Sequence, residues 1–478
     1  MGKYKTLAEN TLIFTICNFT SKILVFFMLP FYTIALSKED FGVAELIMST
    51  SMFLIPLLTL SMADGCMRFA IDKAYDNDKV FSIGFFVVSG GIILVACFLP
   101  LVRLFSITGE YMFFFFLFYV LQSYNILFGH FVRGIGKVRI VGISGVVMSF
   151  SAVILNILLL FVFKWGLRGY MISFIVAFAI ADLILFFGAH LNHYIKFHFE
   201  RKLAKEILSY SVPLVPNSLS WWFNDAANRY IIGYYCSVGD VGLYSASSRL
   251  PSIVNTFRSI FIQAWQLSTI TEYDKKDSNG FFSNIYRAYH FFIIVLVSFC
   301  IVFSKLLSSF LLSNEFFEAW IFTPFLFLGV LFGALVAFYS PTYLAHKKTK
   351  RLLVSTIIGA LIAVGGNFLL VPKIGVIGSA VMSAVSYFVI YIFLHIDSMK
   401  YIIYRTVYVR YYLSYAIIAI QTIAITFFNV SPLSVGPISC FVFLFLLNRK
   451  DVVLYIELIN TIINNRKNGK KSQISNQG

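Results

Sequence analysis

Apolar residues in this chain come in runs of about 20, the length a helix needs to cross a hydrocarbon layer of roughly 30 Å. Fourteen such windows follow one another, at 11–36, 41–63, 81–102, 111–130, 141–163, 169–189, 208–235, 241–266, 283–304, 321–344, 352–371, 376–395, 411–429 and 433–448. Short polar turns separate them, so the pattern predicts an all-α polytopic membrane protein with about 14 transmembrane helices. Alternate turns carry the basic residues, for example Arg133, Lys137 and Arg139, and later Lys347, Lys348, Lys350 and Arg351. The opposite turns hold only Lys38, Arg103, Lys164, Arg168, Lys305 and Lys373. Basic loops mark the cytoplasmic side, so both termini are expected inside.

One stretch breaks the apolar rule. Between Leu208 and Arg258, two windows meet at the polar turn Ser237–Asp240 and carry Asp225, Arg229, Arg249 and Arg258. Charge at such depth costs on the order of 3 kcal/mol per residue on insertion scales, so it faces a wet cavity or a partner. Lys22 lies halfway along the first window in the same predicament. A cationic cavity follows, lined by Lys22, Arg229, Arg249, Arg258 and Asp225, and a cavity of this kind is the working part of a transporter. Asp225 and Arg229 stand one helical turn apart, either as a pair that opens to substrate or as a lock on a neighbouring helix. Arg249 and Arg258, nine positions apart, point to opposite sides of one helix, so Arg249 is the favoured cavity residue and Arg258 belongs either to the cavity or to an inner gate.

Composition agrees with the pattern. Of 478 residues, 59% are hydrophobic and 13% charged, about half the charged share of a soluble protein. The mean hydropathy is +0.83. The net charge of +16 invites a nucleic-acid reading, but the basic residues sit in short loops where topology puts them, and no nucleic-acid partner is expected. Six cysteines are scattered through apolar runs without ligand spacing, and His190, His193 and His198 lack an acidic or cysteine partner, so no metal is expected. Asp64 and Arg68 read as a helix-end gate or interfacial pair, and Arg287, with His290, as an interfacial anchor. Prolines at 30, 56, 213, 216, 251, 324 and 341 lie in or near the windows and favour kinks. The N-terminal run is too long and too charged for a cleaved signal peptide and is expected to be retained.

The chain repeats itself. Ser37-Lys-Glu-Asp40-Phe-Gly42 matches Ser237-Val-Gly-Asp240-Val-Gly242 at an offset of 200. Lys137, Arg139 and Asn156 match Lys348, Lys350 and Asn367 at 211, and Gly166-Leu-Arg-Gly169 matches Gly375-Val-Ile-Gly378 at 209. Six windows separate the copies, so the repeat is parallel, about an axis along the membrane normal. The expected organisation is a first lobe at 1–195, a second at 196–400, two extra spans in 401–448 and a basic cytoplasmic tail at 449–478.

The tokens Leu36–Glu45, Ser209–Ala246 and His346–Tyr387 resemble the polysaccharide-transporter branch of the multidrug/oligosaccharidyl-lipid/polysaccharide exporter superfamily, which includes the Wzx-type lipid-linked oligosaccharide flippases. The resemblance covers nearly the whole chain. It implies a V-shaped, MATE-like fold in a bacterial cytoplasmic membrane. It also implies translocation of an undecaprenyl-diphosphate-linked oligosaccharide to the outer leaflet for capsule, O-antigen or exopolysaccharide synthesis. Membrane lipids, a polysaccharide polymerase and chain-length machinery are the implied partners. No cofactor is expected, with H+ or Na+ coupling left open. Two other readings compete. A cation-coupled multidrug exporter should hold carboxylates in its first lobe, whereas the first window has Lys22 and no acid between Glu9 and Glu39. A membrane glycan polymerase should have a large outside loop, and none is present, so an enzyme is not expected.

Overall fold

The computed structural model describes residues 24–451, apart from 25, 73, 103–110, 197–199, 272–275, 279, 347, 403, 405–407 and 429–434. Lys22 and the basic tail beyond residue 451 therefore lie outside the described residues. In chain order the helices are α1 (Leu29–Ala35), α2 (Lys38–Leu58), α3 (Met62–Ile71), α4 (Asn77–Val102), α5 (Met112–Gly134), α6 (Val138–Ile157) and α7 (Gly166–Gly188). After a linker come α8 (Arg201–Ser211), α9 (Val215–Asp225), α10 (Ala227–Tyr235), α11 (Val238–Arg249), α12 (Ser252–Thr271), α13 (Phe281–Val302) and α14 (Ser304–Leu311). The series ends with α15 (Thr323–Ala345), α16 (Thr349–Ile374), α17 (Val376–Ser398), α18 (Tyr408–Phe428) and α19 (Val435–Leu447). Every described element is helical.

Ten of these helices are long and apolar enough to cross a membrane, and α19 is apolar but shorter. Side chains such as Phe310, Leu361, Leu369 and Val409 are two-thirds or more exposed. Water would penalise such a surface, whereas lipid does not. The protein is a multi-pass membrane protein.

Two predicted spans are not single helices. The window at 208–235 is cut by a 3-10 turn at Val212–Leu214, which contains Pro213 and is followed by Pro216, and again at Ala226. The window at 241–266 is cut at Leu250 and Pro251, where the proline removes a backbone donor. Similarly, Pro56 precedes a break in which Leu60 and Ser61 take left-handed backbone, and α3 starts afresh.

The repeated tokens have repeated structure. Ser37 and Ser237 both cap their helices, each hydroxyl accepting from the backbone N–H three residues on, at 3.1 and 3.0 Å. Gly166 and Gly375 both take positive φ (53° and 64°) where α7 and α17 begin, a conformation glycine adopts without strain. Asn156 and Asn367 are both buried and both donate to the carbonyl four residues back. The contact between α2 and α11 follows the same rule. A methyl group on Gly42 would lie 2.0 Å from the carbonyl oxygen of Val238, and one on Gly242 would lie 2.0 Å from that of Lys38. Two helix backbones can approach this closely only where both lack a side chain. Around the crossing, Thr33 donates to the carbonyl of Leu311 at 3.5 Å and accepts from the N–H of Ser313 at 3.0 Å, and Lys38 pairs with Glu315 at 3.8 Å. The end of the molecule that bears these turns is thereby closed.

Candidate functional site

Directly below the glycine crossing, the buried Glu45 of α2 meets two arginines. Arg229 of α10 places Nη2 3.3 Å from one carboxylate oxygen, and Arg249, closing α11, donates to the other. The three side chains are only 9%, 16% and 20% exposed. Each guanidinium is also held by uncharged groups. Arg229 donates through Nε to Ser245 Oγ at 3.0 Å and through Nη1 to the carbonyl of Asp225 at 3.3 Å. Arg249 donates to the Tyr170 hydroxyl at 3.1 Å and lies 4.8 Å from the Phe41 ring and 5.6 Å from that of Tyr32. Two cations against one anion leave a net positive charge in a poorly hydrated place, which attracts a second anion.

Asp225 forms no ion pair with Arg229, which still bonds its backbone carbonyl and acts on it electrostatically. Its carboxylate instead accepts from the Tyr387 hydroxyl. The helix is interrupted at Ala226 (φ −118°, ψ −26°), which ends α9 at Asp225, and the Arg229 fork is taken up by Glu45 and Ser245. Arg258, on α12, reaches the carbonyl of Gly333 at 3.5 Å and acts electrostatically on Asp225. Arg249 and Arg258 thus have separate partners, and because the helix breaks between them at Leu250 and Pro251, the single-helix spacing does not account for it. Around Asp225 runs a buried amide network: Asn224 donates to the Thr356 carbonyl, Ser386 to Asn224, Asn228 to the Tyr244 hydroxyl and Asn367 to Asn228, at 2.8–3.1 Å.

The aromatic residues of this stretch join α9 and α10 to α2. Trp222 donates to the Ser49 carbonyl at 2.8 Å, and the Tyr230 hydroxyl meets Thr50 and the Leu46 carbonyl. Tyr234 is 80% exposed and borders the cavity beside these contacts. Beside these contacts lies an apolar cavity of about 590 Å³, lined by Leu46, Thr50, Leu58, Phe98, Phe115 and Tyr230 among others. Leu46 and Tyr230 adjoin Glu45 and Arg229 in sequence, so the charged cluster and the apolar cavity are neighbours.

Two further expectations need correction. Asp64 and Arg68 do not pair. Asp64 turns to His130 Nδ1 of α5 at 3.3 Å, and Arg68 reaches along its own helix to Asp72 at 3.9 Å. Arg287 is no free interfacial anchor: with Arg410 it binds the fully buried Asp451, at 2.7 Å for Arg287, tying α13 and α18 to the segment after α19. The absence of acid noted for the first window does not extend to the rest of the first six windows, where Glu45 and Asp182 are both buried. Among the described residues no group of three metal-ligating side chains occurs. Glu45 is the residue that sequence reasoning missed. Its signal was present, an acid inside an apolar window, but nothing in periodicity pairs it with Arg229 and Arg249 two hundred residues away.

The fold and site define a class, the multi-pass membrane proteins built on a MurJ/MATE-type helical scaffold. A structure described as lipid II flippase MurJ in an inward closed conformation matches with a TM-score of 0.65 at 17% identity, over 95% of this chain and 99% of that one. An inward-facing multidrug resistance MATE family transporter of the MOP superfamily matches at 0.59 and 14% identity, over 81% and 95%. The Vibrio cholerae MATE transporter VcmN matches at 0.55 and 14%, over 84% and 99%. No curated protein matches. The profile of the polysaccharide biosynthesis protein family matches residues 7–266, more than half the chain, and the chain belongs to that family.

Proposed function

We propose that the protein is a flippase that carries an undecaprenyl-diphosphate-linked oligosaccharide from the inner to the outer leaflet of the bacterial cytoplasmic membrane. The observation that carries this reading is the Glu45–Arg229–Arg249 cluster: two guanidinium groups share one carboxylate beside an apolar cavity. A diphosphate brings about two negative charges and oxygens that match the planar fork of arginine. It competes with Glu45 for both guanidinium groups, and the first isoprene units of the lipid fill the adjoining cavity. The neighbour named as a lipid II flippase supports a lipid-linked substrate.

In the proposed cycle the lobes at 1–195 and 196–400 rock about this cluster while the spans of 401–448 ride with the second lobe. The closed Gly42–Gly242 end faces outward, the basic loops and both termini face the cytoplasm, and the present state awaits substrate from inside. Binding of diphosphate frees Glu45 from its arginines and loosens the closed end, which couples loading to opening. Lys22, Arg258 and Asp225 belong to the wider cavity in this proposal. Capsule, O-antigen or exopolysaccharide assembly is the setting, with the polymerase and chain-length machinery taking the product.

A cation-coupled drug exporter uses the same scaffold and calls for first-lobe carboxylates. The first lobe holds Glu45 and Asp182, but Glu45 is occupied by two arginines and the interlobe cluster is net cationic, which favours an anionic substrate. The test is a deletion strain complemented with wild-type or Arg229→Ala protein. Lipid-linked glycan accumulating on the cytoplasmic leaflet, cleared only by the wild type, supports the proposal. Clearance by both removes it.

A further inference from the structure

Asp182 stands apart from the cationic cluster, inside the first lobe, where α7 packs against α5. Its side chain is buried. One carboxylate oxygen accepts from Asn125 Nδ2 at 2.8 Å, and the other has no hydrogen-bond partner. Gln122, one turn before Asn125 on α5, likewise has a buried side-chain oxygen with no donor. Two acceptors without donors at one helix contact are short of a positive species. An ionised carboxylate buried without a counter-ion is a costly arrangement, and neutralisation relieves it.

The charged neighbours do not supply that relief. On α5, His130 is held by Asp64, Tyr124 hydrogen bonds to Ser89, and Tyr119 and Arg133 also line the helix. On α2, Glu45 is committed to its two arginines. On α6, Arg139 stands in the first turn, and Lys137 just before it is spent on the Ala189 carbonyl at 2.9 Å. His190 and His193 lie beyond the end of α7, and Arg168 and Tyr170 near its start, Tyr170 bound to Arg249. Among the described residues no ion pair involves Asp182, whose side-chain partner is Asn125.

The repeat supplies an internal control. At the offset of 209 that relates the GxxG tokens, Asp182 corresponds to Tyr391 of α17. That phenol is fully partnered, to Tyr286 at 3.2 Å and Tyr415 at 2.9 Å. The same place in the second half therefore packs well around a neutral, satisfied group, so packing does not call for a carboxylate.

We infer that Asp182 is a proton-binding site: it carries a proton in this closed state, and release and uptake of that proton accompany the conformational cycle. A metal cation fits poorly, since the site offers one carboxylate and Asn125 turns its nitrogen, not its oxygen, toward it. The link to transport rests on the flippase reading, whereas occupancy of the site does not.

The test is infrared difference spectroscopy on the purified full-length protein during a pH jump. The carbonyl stretch of a protonated buried carboxylic acid should titrate in the wild type, vanish in Asp182→Asn and persist in Asp182→Glu, with all three proteins folded by thermal melt. In proteoliposomes a pH gradient should stimulate lipid translocation at least tenfold less in Asp182→Asn than in wild type. A band that is absent in wild type, unchanged in Asp182→Asn, or moved by sodium at fixed pH would overturn the inference. If the band behaves as expected but no lipid-linked glycan moves in the wild type, the flippase reading fails and the site stands.

Discussion

Gly42 and Gly242 stand back to back, each leaving room for the carbonyl of the other helix, and the contact maps onto itself when 200 is added or subtracted. Side chains on either would separate α2 from α11 and keep the closed end ajar. Gly42→Ala and Gly242→Ala should each cost about 1–3 kcal/mol of stability, the range for overpacked contacts, and shift the population toward opening. The exposed Cys236 adjoins the Ser237 cap and reports this. In a variant retaining only Cys236, membrane-impermeant maleimide added to intact cells should label it, and several-fold faster after Gly42→Ala. Labelling only from the cytoplasmic side would invert the proposed topology.

Glu45→Gln preserves volume but removes the single anion between Arg229 and Arg249. Leaving charges buried and unpaired costs about 3 kcal/mol in comparable sites, so the melting temperature should drop. The vacated pocket should then accept an added anion, and millimolar inorganic pyrophosphate should raise the melting temperature of Glu45→Gln more than that of wild type. An equal response in both proteins would show that the arginines do not form a diphosphate site.

How much of this was legible depended on how local the signal was. The serine caps and positive-φ glycines are written into short motifs, because turn chemistry involves residues a few positions apart, and the repeat could be read from Ser37, Ser237, Gly166 and Gly375. The spans were legible because lipid imposes a uniform apolar length. The pairing of Arg249 with Glu45 was not, since it joins residues 204 positions apart. Nor was the break at Ala226, where alanine, the strongest helix former, gives no warning. On its two sides Asp225 bonds Tyr387 and Arg229 bonds Glu45.

Arginine-to-lysine substitutions separate charge from shape at the two cationic positions. Arg229 uses its fork on three partners, Glu45, Ser245 and the Asp225 carbonyl. A lysine ammonium cannot hold this set in one plane. Arg229→Lys is expected to retain no more than about a tenth of the flipping rate, a loss of about 1.4 kcal/mol or more in the barrier, and Arg229→Ala none measurable. Arg249→Lys should fare worse than Arg229→Lys, because it also forfeits the stacking on Phe41 and Tyr32. Translocation of fluorescent lipid-linked oligosaccharide into reconstituted vesicles measures all three. Full activity in both lysine variants would mean that charge alone suffices.

Asp451 distinguishes structure from transport. It is fully buried between Arg287 and Arg410, so Asp451→Asn strands two guanidinium groups and should destabilise the fold by about 3–5 kcal/mol. The cluster lies between α13, α18 and the segment after α19, away from Glu45, so the damage should be thermal and not catalytic. At low temperature the variant should still flip substrate at nearly the wild-type rate, while its melting temperature falls by several degrees. Arg287→Ala should behave the same way but more mildly, since it removes one cation and leaves Asp451 bound to Arg410. A variant that melts like wild type yet fails to transport would give Arg287 a part in transport itself.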